Sequence, residues 1–409
     1  MSIGLFLAMQ VATGATQAAP SPIDTDEVII VTARRLSDAQ VALTRCIERG
    51  CPPDEEMRAW LKQVDAQFLS GDYPGARNSL DKARDRNRRY ARQHPVLVSE
   101  LWRADSRLSS LLGLRDESQI AARGAVAALR EGLPSDDGRV LVQQLEVGDS
   151  HAMGGNFERA VAQYREVMRR ARVTGSRAIE GRAMLRTAIL YAAVARREQP
   201  YVEPARRLLA EIDATTDEAL GPVREAARVV RLKLDLALDP KGGPDLAAWA
   251  ASVQRGRNPV LIYAPPIETR LPGARSAQEI ADSIHTADFA NPLNVERVFP
   301  INYNLTDQWA DVGFRIASDG TVSEIDTLRR GHESVERWLS RARDGLAKRR
   351  YAPFGDGPDD PGVYRIERYS LVSDMTTVTG SHIPSRAGEP HVEVVDLTAS
   401  KIGIPATNR

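Results

Sequence analysis

The sequence predicts a multidomain α+β protein in which an N-terminal α-helical repeat array precedes a small α+β domain. Three observations support this. A Gly-aromatic-Ala pattern recurs in the first half: Gly71-Asp72-Tyr73-Pro74-Gly75-Ala76 returns as Gly155-Asn156-Phe157-Glu158-Arg159-Ala160. Between Trp309 and Val372 alternating apolar runs flank an Asp319-Gly320 turn and a single helical stripe. Aromatic residues make up only 5% of a chain rich in Ala, Leu and Arg, which favours packed helices over an all-β body. The 409 residues suffice for two or three domains of roughly 150 residues each. Lys+Arg and Asp+Glu both number 55, so the formal net charge is +0 and nothing electrostatic calls for nucleic acid as the main partner.

Residues 1–18 read as a signal peptide. Ile3 to Ala12 is an apolar run too short to span a bilayer, and small residues follow, with Thr16 and Ala18 placed for a cleavage site. The Lys or Arg that usually precedes such a run is missing. Residues 19–53 are expected to form an extended arm closed by a disulfide. Val28 to Thr32 is β-branched throughout, which favours an extended strand able to add to a sheet edge. The stretch Asp26-Glu27-Val28-Ile29-Ile30-Val31-Thr32-Ala33-Arg34-Arg35 resembles the TonB box and early plug sequence of TonB-dependent outer-membrane receptors. An arm packed on its own protein accounts for it equally well. The cysteines are Cys46 and Cys51. In an exported chain two thiols this close are expected to oxidise to a local clip, with Gly50 easing the turn. A metal site would need nearby His, and the spacing is not that of a Cys-x-x-Cys redox pair.

Residues 54–240 carry the helical repeats. Gly113, in Leu111-Leu112-Gly113-Leu114, lies midway between Gly71 and Gly155, so the three glycines are 42 residues apart. Each Gly is expected to end the first helix of a pair in a left-handed conformation. The aromatic then opens the second helix, and the Ala sits where the two come close. Leu101, Leu108, Leu111 and Leu112 form one apolar face, and Val161, Tyr164 and Val167 another. A fourth, degenerate unit runs through Tyr201–Ile212 and Val223–Leu238. The pattern resembles tetratricopeptide repeats, with units longer than the usual ~34 residues. Arg84, Arg86, Arg88, Arg89 and Arg92 cluster around Tyr90. Such a run is more often a solvated helix end than a patch for an acidic partner, a lipid headgroup or a cell-wall polymer.

Lys241-Gly-Gly-Pro244 breaks the helical pattern and sets a domain boundary near 240–260. A short helix over Asp245–Gln254, an extended Asn258–Pro266 and a capped helix over Ser276–Ile284 are expected next. In the C-terminal domain, 260–378, Val312, Phe314 and Ile316 share one strand face and Asp311, Gly313 and Arg315 the other. Val322 and Ile325 are out of phase, which predicts a bulge near Ser323 and Glu324. A helix over Glu333–Lys348 presents Val335, Trp338, Leu339, Ala342 and Leu346 to one face of the sheet. Tyr351-Ala-Pro353-Phe354 then leads to a last strand ending at Val372. Residues 379–409 read as a flexible tail in which His391–Leu397 can pair as a strand. A sheet this small leaves at least one edge open as a template for a peptide strand.

This order of elements resembles the C-terminal domain of TonB-type energy transducers. The matching positions are Phe299-Pro300, Val312-Gly313-Phe314, Asp319-Gly320, Val322–Leu328, Arg350-Tyr351-Ala352-Pro353-Phe354 and Gly355–Gly357. They span under a fifth of the chain. The uncleaved membrane helix and long Pro-rich spacer of a transducer have no counterpart here. The resemblance implies a binding fold in a periplasmic protein and a link to TonB-dependent transport, without implying coupling to a proton-driven motor.

No catalytic, cofactor-binding or metal-ligating residues are expected. The six His show no His-Glu-x-x-His spacing, and nucleophile-elbow, phosphate-loop and dinucleotide fingerprints are absent from the sequence. Asp356, Asp359 and Asp360 fit no EF-hand loop. The expected function is that of a non-enzymatic periplasmic adaptor, without cofactor and peripheral to the membrane. Its expected partner is an extended peptide segment of a periplasmic or outer-membrane protein, and its sheet edge also permits a homodimer. Candidate binding residues are Val28, Ile29, Ile30 and Val31 in the arm, Arg88 and Arg89 in the basic cluster, and Tyr351, Phe354, Tyr364, Ile366 and Tyr369 in the C-terminal domain. The alternative is a cell-envelope assembly factor that binds peptidoglycan or lipid through the Arg-rich surface; a hydrolase ranks behind both.

Overall fold

Good helix formers dominate the first half, and there the chain is helical. The structure, a computed structural model, describes residues 25–239, 243–252, 256, 258–267, 307–357, 360–377 and 384–398. The helices are α1 (Thr25–Glu48), α2 (Pro53–Ser70), α3 (Tyr73–Asn87), α4 (Pro95–Leu111), α5 (Arg115–Gly132), α6 (Gly138–Met153), α7 (Phe157–Val173), α8 (Arg177–Ala195), α9 (Val202–Asp213), α10 (Gly221–Leu238) and α11 (Leu246–Ser252). The expected signal segment, the expected helix over 276–284 and Phe299-Pro300 lie outside the described residues.

The repeat chemistry acts as its residue types require. Gly71, Gly113 and Gly155 follow α2, α4 and α6 with φ of 84°, 76° and 75°, the left-handed region where a Cβ is costly. Tyr73 and Phe157 open α3 and α7, and Ala76 and Ala160 are fully buried. The Asp72 carboxylate accepts the Gly75 N–H at 2.9 Å and caps α3. The cores run through successive helices. Leu141 and Leu145 of α6 pack with Tyr164 and Val167 of α7 and Leu190 of α8. Ala188 of α8, Leu209 of α9 and Ala227 of α10 continue the packing.

The arm corrects the sequence reading. Val28, Ile29, Ile30 and Val31 lie in the first third of helix α1, not in an extended strand. A helix nucleated over the Ala-rich stretch downstream propagates at little cost, and it is anchored there because Leu43 packs with Met57 and Trp60. The β-branched run costs only some tenths of a kcal/mol per residue in a helix, too little to stop propagation. Cys46 and Cys51 form the expected disulfide, with a Cα–Cα separation of 5.1 Å across a turn in which Gly50 has φ 65°.

The chain divides into a helical unit, Ala33–Ser110 with Leu114–Arg255, and a second unit built on Gly256–Arg409. In the latter, β1 (Leu261–Tyr263) pairs antiparallel with β4 (Arg350–Tyr351). The remaining strands, β2 (Trp309–Ile316), β3 (Val322–Arg330), β5 (Val363–Thr377) and β6 (Pro384–Asp396), form an antiparallel sheet in the order β3-β2-β5-β6. Helix α12 (Glu336–Ala347) lays Trp338, Leu339, Ala342 and Leu346 against Val312, Phe314, Ile316 and Tyr369. The expected hairpin turn closes with Gly320 at φ 86°, and its N–H donates to the Ala317 carbonyl at 2.8 Å. The expected bulge is present: the β2–β3 register shifts between Gly313 and Arg315, and Glu324 takes φ 49°. The tail is corrected in part: the strand expected over 391–397 is present through Asp396, but β6 also takes in 384–390, expected to be flexible. Much of it is ordered as β6, because its Val-rich half meets an apolar partner strand in β5. Among the described residues no helix is long and apolar enough to cross a membrane.

Candidate functional site

The candidate site is built on β5, which is paired along both of its sides. β5 pairs with β2 over Val363–Ser370 on one side. On the other it pairs with β6 over Glu367–Thr377. The β5–β6 ladder is interrupted once, between Val372 and Asp374, where His391 and Ala387 are the successive partners and Pro390 falls in the gap. Proline lacks the N–H that a ladder needs. Below the gap β6 is anchored at its far end. Leu397 is buried at 2% exposure, its N–H donates to the Ile366 carbonyl at 2.8 Å, and the Ile366 N–H donates to Thr398 Oγ1 at 3.2 Å. Val392 packs on the same core as Tyr369 and Leu371.

Most of the candidates in the C-terminal domain are core residues. Tyr351, Phe354, Ile366 and Tyr369 are buried, and only Tyr364 is half-exposed. Tyr351 and Tyr369 sit with Arg349 and Glu367 in a buried polar cluster. Glu367 Oε2 accepts from Arg349 at 2.7 Å and from the Tyr369 hydroxyl at 2.8 Å. Burial together with the Glu367 carboxylate lifts the Tyr369 phenol well above the usual range. Burial alone would lower Arg349, but Glu367 outweighs it and raises the guanidinium. Burial raises Tyr351 as well, and the Glu367 carboxylate adds to it. The Tyr364 phenol is pushed up to about 12, by burial first and then by Asp326 and Glu324. The three phenols and the Arg349 guanidinium therefore keep their protons at neutral pH.

A second buried cluster lies on the sheet face turned away from α12, and sequence reasoning did not single it out. Asp311 is fully buried and accepts from Arg329 Nε at 3.0 Å and from Arg368 Nε at 2.6 Å. Arg368 is itself fully buried, with its guanidinium 4.0 Å above the Trp309 ring. The register places Arg329 and Arg368 directly opposite Asp311 on the two neighbouring strands, which is why three charges on β3, β2 and β5 meet. The available signal was a charged residue inside two predicted strands, Asp311 and Arg368, with Arg329 just past the end of the third.

The Arg-rich cluster is partly consumed by ion pairs. Arg84 binds Asp105 and Asp81 and stacks over Trp102, and Arg86 binds Glu56 at 2.7 Å. Arg89 donates to the Tyr90 hydroxyl at 2.9 Å, its guanidinium 4.8 Å from the ring centre. Arg88 and Arg89 line a shallow cleft together with Arg86 and Tyr90, but Glu56 and Asp85 line it as well. Along the helical unit further ion pairs join alternate helices, α4 to α6 through Arg103 and Glu146 at 2.7 Å and α8 to α6 through Arg186 and Asp149 at 2.8 Å, the latter carboxylate also accepting from Tyr164. Burial opposes ionisation of Glu146, but the Arg103 contact prevails and holds its carboxyl below the usual range. No group of three or more His, Cys, Asp or Glu that could hold a metal ion occurs among the described residues.

No protein-family profile matches the chain, and no curated protein matches it. Among solved structures it is similar to the crystal structure of BtubC (BKLC) from P. vanneervenii, with a TM-score of 0.38 and 16% identity over 62% of this chain and 100% of that one. A likeness that faint assigns neither fold family nor function.

Proposed function

We propose that this chain is a non-enzymatic periplasmic interaction protein. Its C-terminal domain, TonB-C-like in its order of elements, takes an extended peptide strand on the β5 edge. Its TPR-like helical array presents a second surface. The observation that carries this reading is the β5–β6 ladder: the side of β5 away from β2 supports antiparallel strand addition from Glu367 to Thr377. The Cys46–Cys51 disulfide supports export to an oxidising compartment. The peptide partner on this reading is an extended segment of a periplasmic or outer-membrane protein, such as a TonB-dependent receptor.

The alternative, binding of cell wall or lipid through Arg88 and Arg89, is less favoured because carboxylates share that cleft and neutralise much of its charge. The purified full chain is offered labelled receptor-type strand peptides and, separately, peptidoglycan sacculi. Saturable peptide binding supports strand docking. Co-pelleting with sacculi, lost in Arg88→Glu with Arg89→Glu and unaccompanied by peptide binding, replaces it with the alternative.

A further inference from the structure

β6 closes with Glu393-Val394-Val395-Asp396, and the sequence continues Leu397-Thr398-Ala399. The N-terminal segment reads Glu27-Val28-Ile29-Ile30-Val31-Thr32-Ala33. Aligned without gaps, the two share Glu, Val, Thr and Ala at four positions and carry aliphatic residues at two more. We propose that the β5 edge is a site for this sequence, occupied in the structure by β6, and that residues 27–33 of a second copy of the chain are its other occupant. The proposal rests on the strand-docking reading above and names its ligand.

The contacts of β6 say why those residue types recur. Val394 and Val395 lie opposite Tyr369 and Arg368 on β5. Leu397 is the buried anchor, and Val31 offers a smaller aliphatic side chain at that place. The Thr398 hydroxyl accepts the Ile366 N–H at 3.2 Å, which would otherwise lack a partner at the end of the ladder, and Thr32 carries the same hydroxyl. The one dissimilar position is Asp396, matched by Ile30. Asp396 reaches Arg365 only at 4.0 Å and accepts the Thr398 N–H at 2.8 Å, contacts at the half-exposed rim that Ile30 would forgo. The interruption at Pro390 separates 391–398 from the rest of β6, so this part can leave β5 without unzipping the outer half. Residues 28–32 are β-branched throughout, a run that prefers an extended conformation to the helix it occupies.

The test uses the full chain and two fluorescent synthetic peptides, one of residues 24–36 and one of residues 388–401, with fluorescence anisotropy as the readout. Leu397→Asp in the full chain loosens the resident strand and is expected to tighten binding of both peptides at least tenfold over the unsubstituted chain. Thr32→Pro in the first peptide is expected to cost at least tenfold. If the 388–401 peptide binds and the 24–36 peptide does not, the second-occupant proposal is overturned while strand docking stands. If neither binds although the β2 amides of Leu397→Asp remain protected from hydrogen exchange, both readings fall. Should Leu397→Asp lose β2 protection, Thr398→Val, which removes only the hydroxyl acceptor, takes its place with an expected gain of about threefold, read by the same outcomes.

Discussion

At the scale of single residues, Asp311 is the most consequential side chain in the C-terminal unit. Two guanidiniums converge on it in a fully buried setting. Removing one member of such a cluster leaves its partners buried beside an absent countercharge, at a cost of about 3–5 kcal/mol. Asp311→Ala is therefore expected to lower the unfolding midpoint of this unit steeply in urea, whereas Arg315→Ala, whose partner Glu324 is largely exposed, should shift it by less than about 0.5 kcal/mol. Gly320→Ala should also be costly, by about 1–3 kcal/mol, because its φ is 86° and a Cβ would lie 2.0 Å from the Tyr351 carbonyl oxygen. His151 gives a pH-dependent readout in the helical unit. Burial, and then the cations Arg123 and Arg159, push its pKa below the ordinary 6.5. The folded protein thus binds that proton less readily than the unfolded chain. Its contribution to stability is present above pH 6.5 and lost as pH falls through the lowered folded value. His151→Gln should flatten the fall in thermal midpoint between about pH 7.5 and about pH 5.5, and a slope identical to the parent chain's would refute the assignment.

At the scale of elements, legibility in the sequence followed how local the determining physics is. The turns after α2, α4 and α6 were readable because a left-handed residue at a helix end nearly demands Gly71, Gly113 and Gly155. The β2–β3 hairpin and its bulge were readable for the same reason, through Asp319-Gly320 and the phase slip at Val322–Ile325. One segment departs from the sequence reading throughout and the tail departs from it over 384–390, and both depend on distant partners. Val28–Val31 has strand propensity, yet it continues a helix anchored by Leu43 on Met57 and Trp60. The tail has loop composition around Gly388 and Pro390, yet β5 supplies it with a partner over Glu367–Thr377. The candidate site was half legible. The alternation placed Asp311 opposite the apolar face, but no local pattern reveals that Arg329 and Arg368 pair with it across strands. Helix caps give a direct check at this scale. Asp72→Ala removes the acceptor of the Gly75 N–H and should destabilise the helical unit by about 1 kcal/mol in denaturant titration.

At the scale of the whole molecule, the disulfide and the outer strand edges have the widest consequences. The clip between Cys46 and Cys51 closes a short loop, for which chain-entropy bookkeeping gives roughly 2 kcal/mol. Thiol titration of the purified chain should find no free thiol without reductant and two with it, alongside a modest fall in thermal midpoint. The outer strands of the larger sheet differ from β5 in kind. β3 exposes Ser323, Glu324, Asp326 and Arg330 and is bent by its bulge, while β6 is broken at Pro390 and begins with Pro384. Charge, curvature and missing N–H groups all discourage further pairing. A strand that joins this sheet by evicting a resident leaves the row of strands no longer than before. Two copies that trade segments reciprocally make a closed pair of fixed stoichiometry, whereas one-way donation from copy to copy would build an open chain.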